Sequence, residues 1–232
     1  MDLKNLTDQQ RTEYVFAYIM EGIKAGAIKP MVCAKSTWVD AHFVTAEEVG
    51  QEHIVWSQGK VEKVVTLQEG MVLVTTLDEN GNPVLDADGH TNTYDMSAVK
   101  FAKTYPKQIN GHYVKDPYAE GSVMVAVELP AELVGEGLTI LPPNWRGYSG
   151  TLMPGGYIML PYKSGSSLLG QVFEWEQEGV ATLDFYPNNE PQTYSECDKN
   201  GTFRDPALRK RFKQDQEYQG EAFGSRDKTT AD

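Results

Sequence analysis

The residue types able to do chemistry are few in this chain and widely spaced. Among 232 residues there are four histidines, His42, His53, His90 and His112, and two cysteines, Cys33 and Cys197. Histidine is the usual proton carrier near neutral pH, and a neighbouring carboxylate can orient its ring. Asp40 and His42 have that spacing, because residues two apart on a strand share a face. With Glu47 and Glu48 close by, they are the constellation that suggests a hydrolase-like enzyme. No activated nucleophile accompanies them, and an exposed ion pair explains the same spacing. His90 falls in a turn and His112 in a connection, where both are expected to be solvated. Ser164-Gly165-Ser166-Ser167 lacks the Gly-x-Ser-x-Gly elbow of a hydrolase nucleophile. No catalytic residue is assigned, and the protein is expected not to be an enzyme.

Metal and phosphate chemistry fare no better. Asp78-Glu79-Asn80-Gly81-Asn82 and Asp86-Ala87-Asp88 offer carboxylates, but Pro83 stands where a calcium loop needs its glycine, and no glutamate closes the loop. Asn80-Gly81 and Asp88-Gly89 are also what tight turns require. Cys33 and Cys197 are too far apart in sequence for a paired zinc motif and too few for a disulfide framework. Gly147, Gly150, Gly155 and Gly156 precede no helix, so they build no phosphate cradle. Glu174-Trp175-Glu176 is similar to the paired glutamates of ADP-ribosyltransferases, yet the serine-rich strand expected well upstream lies only a few residues away. Alternating glutamates on an exposed strand account for it. No metal and no cofactor is expected.

Binding chemistry is better represented. Asn144-Trp145-Arg146-Gly147-Tyr148-Ser149-Gly150 sets Trp, Arg and Tyr on one loop. Large aromatics and Arg are favoured at interfaces, where they supply area and directed hydrogen bonds. The candidate binding residues are Trp145, Arg146 and Tyr148, with Tyr157 and Trp56.

The elements that must carry these residues read as follows. Thr7 followed by Gln10 is a capping box, and Tyr14, Val15, Tyr18, Ile19 and Ile23 recur at helical spacing until Gly26 and Pro30. Strands are expected over 31–44, 53–56, 61–67 and 70–77, then two tight turns over 78–93. Ser97 caps a short helix that stops before Pro106. Later strands are expected over 123–129, 138–141 and 157–160, with 145–156 a glycine-rich loop. Leu168 to Trp175 and Val180 to Tyr186 read as a hairpin about Glu178-Gly179. Asp205 and Pro206 start a last helix running to about Tyr218, and the final dozen residues read as a disordered tail. Trp56, Leu67, Gly70 and Met71–Val74 echo Trp145, Leu152, Gly155-Gly156 and Tyr157–Leu160, which predicts two β modules on one plan. The fold class is α+β, β-rich, with two small antiparallel modules at 31–118 and 119–190. An N-terminal helix occupies 1–30, and a polar segment with a basic helix occupies 191–232.

Gln68-Glu69-Gly70-Met71-Val72-Leu73-Val74 and Met153-Pro154-Gly155-Gly156-Tyr157-Ile158-Met159-Leu160 resemble the strand starts of small bacterial and phage β-domains with a Pro-Gly-Asp-Tyr type motif. Phe101-Ala102-Lys103-Thr104-Tyr105 is similar to their closing Phe-x-x-Thr-Tyr signature. The first copy has Glu-Gly-Met, and the second has Gly156 in place of the aspartate. The resemblance implies a fold and carries no functional residue over.

The net charge of -12 opposes binding to nucleic acid and to anionic membranes and favours a basic partner. Arg204, Arg209, Lys210, Arg211 and Lys213 make a basic patch on this acidic chain, and docking onto the chain's own carboxylates is the expected use. The start Met1-Asp2-Leu3-Lys4-Asn5-Leu6 has no basic-then-apolar pattern, and no apolar run reaches a membrane span, which predicts a cytoplasmic protein with reduced thiols. The expected function is that of a non-catalytic acidic interaction protein that binds and inhibits a basic macromolecular partner, as phage- or immunity-type inhibitors do. A second expectation is a small-molecule or nucleotide site in an aromatic cleft between the modules. A third is the hydrolase-like use of Asp40 and His42. The aromatic stripe of the first helix also admits a homodimer.

Overall fold

The computed structural model describes residues 3–57, 60–78, 80–85, 89–91, 93–145, 147–163 and 166–220. The fold is α+β and β-rich, with all sheet pairings antiparallel. The chain divides into two compact units, Met1–Lys35 with Pro117–Asp232, and Ser36–Asp116.

The first unit begins with α1 (Asp8–Lys24), whose capping box forms as expected: Gln10 N donates to Thr7 Oγ1 at 3.2 Å, and Thr7 N donates to Gln10 Oε1 at 3.0 Å. β1 (Met31–Lys35) follows, and the chain then leaves for the second unit.

The second unit contains β2 (Trp38–Phe43), the hairpin of β3 (Glu52–Ser57) and β4 (Lys60–Thr66), then β5 (Met71–Leu77), β6 (Thr93–Ser97) and α2 (Ala98–Thr104). β7 (Lys107–Ile109) and β8 (His112–Val114) complete it. Its main sheet has the order β6-β5-β2-β8-β7. Val39, Val72 and Val74 of one sheet face pack with Phe101 and Tyr105 from α2 and its end. Phe101 meets Phe43 and Tyr113 edge to face, and the Tyr94 and Tyr105 hydroxyls are 2.5 Å apart. Phe101 and Tyr105, the two ends of the Phe-x-x-Thr-Tyr segment, are thus core residues here, while Ala102 and Lys103 between them are exposed.

Back in the first unit come β9 (Val123–Glu128), α3 (Ala131–Val134), β10 (Leu138–Ile140), β11 (Gly150–Leu152) and β12 (Tyr157–Pro161). After them follow α4 (Leu168–Glu178), β13 (Tyr186–Asn188), β14 (Tyr194–Glu196) and α5 (Pro206–Arg211). The sheet order is β13-β12-β9-β1-β14. One face carries Val125, Val127, Ile158 and Leu160 against Val15, Ile19 and Ile23 of α1 and Val172 and Trp175 of α4. The other face carries Cys33, Met124, Ala126 and Met159, with Tyr157, Tyr186 and Tyr194 packed on them.

Four expectations are corrected. The division at 31–118 and 119–190 does not match the units. Residues 31–35 belong with the second half of the chain because their backbone groups pair with β9 (Cys33 with Met124) and β14 (Cys33 with Glu196). The segments at 1–30 and 191–220 are built into that unit: α1 buries its apolar stripe on the sheet, and β14 is an edge strand. The expected strand at 168–175 is helix α4. Ser167 caps it by accepting from Gly170 N, and Gln171, Val172 and Trp175 are buried at helical spacing. Apolar runs of this length do not separate helix from strand by themselves. Finally, α5 stops at Arg211, because Phe212 turns in to meet Phe203 (ring centroids 4.9 Å apart) and Lys213 takes a positive φ of 52°. The proposed tail, 221–232, lies outside the described residues. The echo between the halves survives only as a turn before a strand: Gly70 and Gly155 both have positive φ, whereas Trp56 lies on a strand and Trp145 at the end of a 3-10 turn.

Candidate partner-binding loop

β10 and β11 form a hairpin with Leu138 opposite Leu152 and Ile140 opposite Gly150, so residues 141–149 are its loop. Both ends of that loop are tied to α1. Leu141 N donates to Thr12 Oγ1 at 2.8 Å, and Arg11 Nε donates to the Thr139 carbonyl at 2.8 Å. At the far end Ser149 Oγ donates to the Asp8 carboxylate, which Arg11 also holds. Within the loop, Pro142 O accepts from Trp145 N and Trp145 O accepts from Tyr148 N, closing two successive turns. Asn189 seals the base of the hairpin. Its carbonyl oxygen accepts from Met153 N at 2.7 Å, and its amide donates to Thr151 O at 2.8 Å.

Trp145 lies over Tyr186, with ring centroids 6.4 Å apart and planes 29° apart. Its indole edge sits against Gly150, where an added Cβ would come within 2.6 Å of Trp145 Cζ3 and 2.7 Å of Pro187 Cγ. Tyr186 is largely enclosed; burial pushes its phenol up, while a hydrogen bond with Tyr194 opposes the shift. Trp145 therefore combines a packed face with 37 % exposure, and Tyr148 projects from the loop at 74 % exposure. Tyr157 is half-buried on the same sheet face as Tyr186 and Met159. Arg146 lies outside the described residues.

No protein family, no curated protein and no solved structure matches this chain. Any functional reading therefore stands on the side chains themselves.

Trp56, the fifth candidate, belongs to the other unit. There it stacks face to face on His90, with centroids 3.7 Å apart and planes 6° apart. His90, expected to be solvated, is thus half of an aromatic stack. The Asp40/His42 pair is also corrected. His42 Nε2 reaches Glu48 Oε1 at 2.8 Å, whereas Asp40 Oδ1 accepts from Nδ1 of His112 at 2.8 Å. Trp38 stacks on the same imidazole at 5.1 Å. His112 is therefore a strand residue fixed by two partners. Sequence reading missed this because β2 and β8 are brought together only by the sheet. The Glu48 carboxyl is held below its ordinary value, first by the Thr45 backbone N–H and then by His42, so Glu48 ties the Thr45 turn to the end of β2. Asp78 does the same work in its own turn, accepting backbone N–H groups from Asn80 and Asn82 at 2.8 Å each. Among the described residues, no group of three or more His, Cys, Asp or Glu side chains is arranged to hold a metal ion.

Three supports of the loop carried no sequence signal of their own. Asp8, Thr12 and Asn189 act across 36 or more residues of chain.

Proposed function

We propose that this protein is a non-catalytic acidic binding protein that grips a basic macromolecular partner through the Trp145–Tyr148 loop and blocks it. The observation that carries the reading is Tyr148, 74 % exposed on a hairpin loop tied to α1 at both ends. Aromatic anchors contribute most to binding when their position is set in advance, because little ordering entropy is then lost on association. Trp145, seated on Tyr186 and Gly150, holds the loop from beneath and adds apolar area. The net charge of -12 speeds encounter with a cationic surface and competes where phosphate would otherwise bind. This is the profile of a phage- or immunity-type inhibitor. Buried Cys33 and Cys197, both free thiols, fit a reducing cytoplasmic setting. No described helix is long and apolar enough to cross a membrane.

The test is a low-salt pull-down with wild type and Tyr148→Ala. A basic partner should be retained, elute as salt is raised, and bind the variant more weakly by about 2 kcal/mol, roughly thirtyfold in Kd. A partner whose affinity is indifferent both to salt and to Tyr148 would remove the proposal.

A further inference from the structure

A second surface of the first unit has a defined chemistry. The outer side of α1, the turn after it and the end of β9 enclose an open groove of about 770 Å³. Its floor is Ile28 and Leu129, 8 % and 5 % exposed. Ile28 reaches this place because Gly22 has no side chain: a Cβ there would lie 2.5 Å from Ile28 Cδ1. Gly22 O also accepts from Ala27 N and Ile28 N, at 2.9 and 3.0 Å, which locks the turn onto the helix. One wall is the stacked pair Tyr14 and Tyr18, with ring centroids 6.3 Å apart, and the opposite wall is Pro130 and Ala131. Ala17 also lines the groove. The rim carries Glu21, Glu128 and Lys29. Glu128 is exposed and makes no ion pair among the described residues, while Glu21 is 74 % exposed at its side chain and reached by Lys24.

We propose that this groove takes a short basic–apolar peptide segment of a partner protein. An apolar side chain would sit on Ile28 and Leu129, and a flanking lysine or arginine would lie over the tyrosine faces toward Glu128. The groove's apolar floor and aromatic wall match the way peptide segments anchor alternate side chains in preformed clefts. Tyrosine faces attract cations, and a carboxylate beyond the ring adds directed charge. With Glu21 held by Lys24, Glu128 is the rim's carboxylate without an ion pair among the described residues, and the chain's net charge of -12 disfavours an acidic segment. The surface is distinct from the Trp145 loop, so the two can be tested apart.

The experiment selects a displayed random peptide library on immobilised full-length protein and measures the recovered peptides against variants by calorimetry. Ala17→Arg fills the groove, and Glu128→Lys reverses its rim charge. Both sites are exposed, and unchanged melting temperatures verify folding. The recovered peptides should be rich in Lys or Arg next to Leu, Phe or Pro. They should lose affinity about tenfold or more with each groove variant and stay within roughly twofold of wild type with Tyr148→Ala. Three results would overturn the proposal: no enrichment, peptides of acidic composition, or affinities that both groove variants leave unchanged. A wild-type dimer in sedimentation that Ala17→Arg dissociates would assign the groove to a second copy and overturn it as well.

Discussion

Gly150 and the two cysteines show how single residues decide the properties of the first unit. At Gly150 any side chain collides with both Trp145 and Pro187, so the residue is required by the indole's seat as much as by the strand. Cys33 and Cys197 are 0 % and 1 % exposed. Burial pushes the Cys33 thiol up to about 12, and burial together with the nearby Cys33, Asp198 and Glu196 pushes Cys197 higher still. Below the ordinary thiol value both folded and unfolded chains are protonated, and this contribution to stability is fully present. Above it, only the unfolded chain ionises, so stability falls as pH rises from about 9 toward 12. The melting temperature should therefore drop between pH 8 and roughly 10.5 more steeply in wild type than in a Cys33→Ala, Cys197→Ala variant. Equal slopes would show that the thiols do not contribute. The histidine–carboxylate pairs behave differently. His42–Glu48 and His112–Asp40 are substantially exposed, and exposed pairs contribute little to stability.

Helix α4 is where local signals and tertiary demand combine at the scale of an element. Ser167 stops the incoming chain with a side-chain cap, and Gly179 ends the helix at φ 78°. Between them Trp175 is fully buried, and its Nε1 donates to the Pro161 carbonyl at 3.0 Å. That bond ties the helix to the end of β12, the strand that carries Tyr157. Trp175→Ala removes a large buried side chain and its hydrogen bond to that carbonyl. It should cost about 3–5 kcal/mol in a urea melt of the full chain. A loss below roughly 1 kcal/mol would contradict the buried seat of Trp175 between α4 and the sheet. The turns and caps of the second unit were more legible. Asn80-Gly81, the Ser97 cap and the stop before Pro106 depend on residues within a few positions of one another; the turn expected at Asp88-Gly89 includes residues outside those described. The Leu168–Trp175 run was not legible, because apolar residues at 168, 172 and 175 suit either a buried helix or a strand.

For the whole molecule, topology makes a testable statement. The second unit leaves after Lys35 and returns at Pro117, and Ala34 is paired with Val123 across β1 and β9. The ends of the first unit at this junction are therefore neighbours in one sheet. A chain in which a short Gly-Ser linker replaces 36–116 should fold and melt cooperatively, since a brief connection closes an antiparallel pair. A product without cooperative melting would mean that the first unit cannot form without the inserted segment. Charge is spread at the same scale. Residues 36–116 hold 12 acidic and 6 basic side chains, half of the chain's net -12. The basic C-terminal region is partly used internally, with Arg204 on Glu196 at 2.9 Å and Arg209 donating to the Phe203 and Arg204 carbonyls.

The sequence by itself determined the β-rich α+β character, the first helix with its capping box, most hairpins and turns, and the presence of Trp145 and Tyr148 on a loop. All of these follow from contacts between near neighbours: caps, glycine φ values and the alternation of apolar residues. Only the tertiary structure decided that β1 belongs with β9 and β14, that Asp40 faces His112, and that Asp8, Thr12 and Asn189 hold the Trp145 loop. Each of those contacts spans tens of residues, and a strand's open hydrogen-bonding edge does not specify which distant strand completes it.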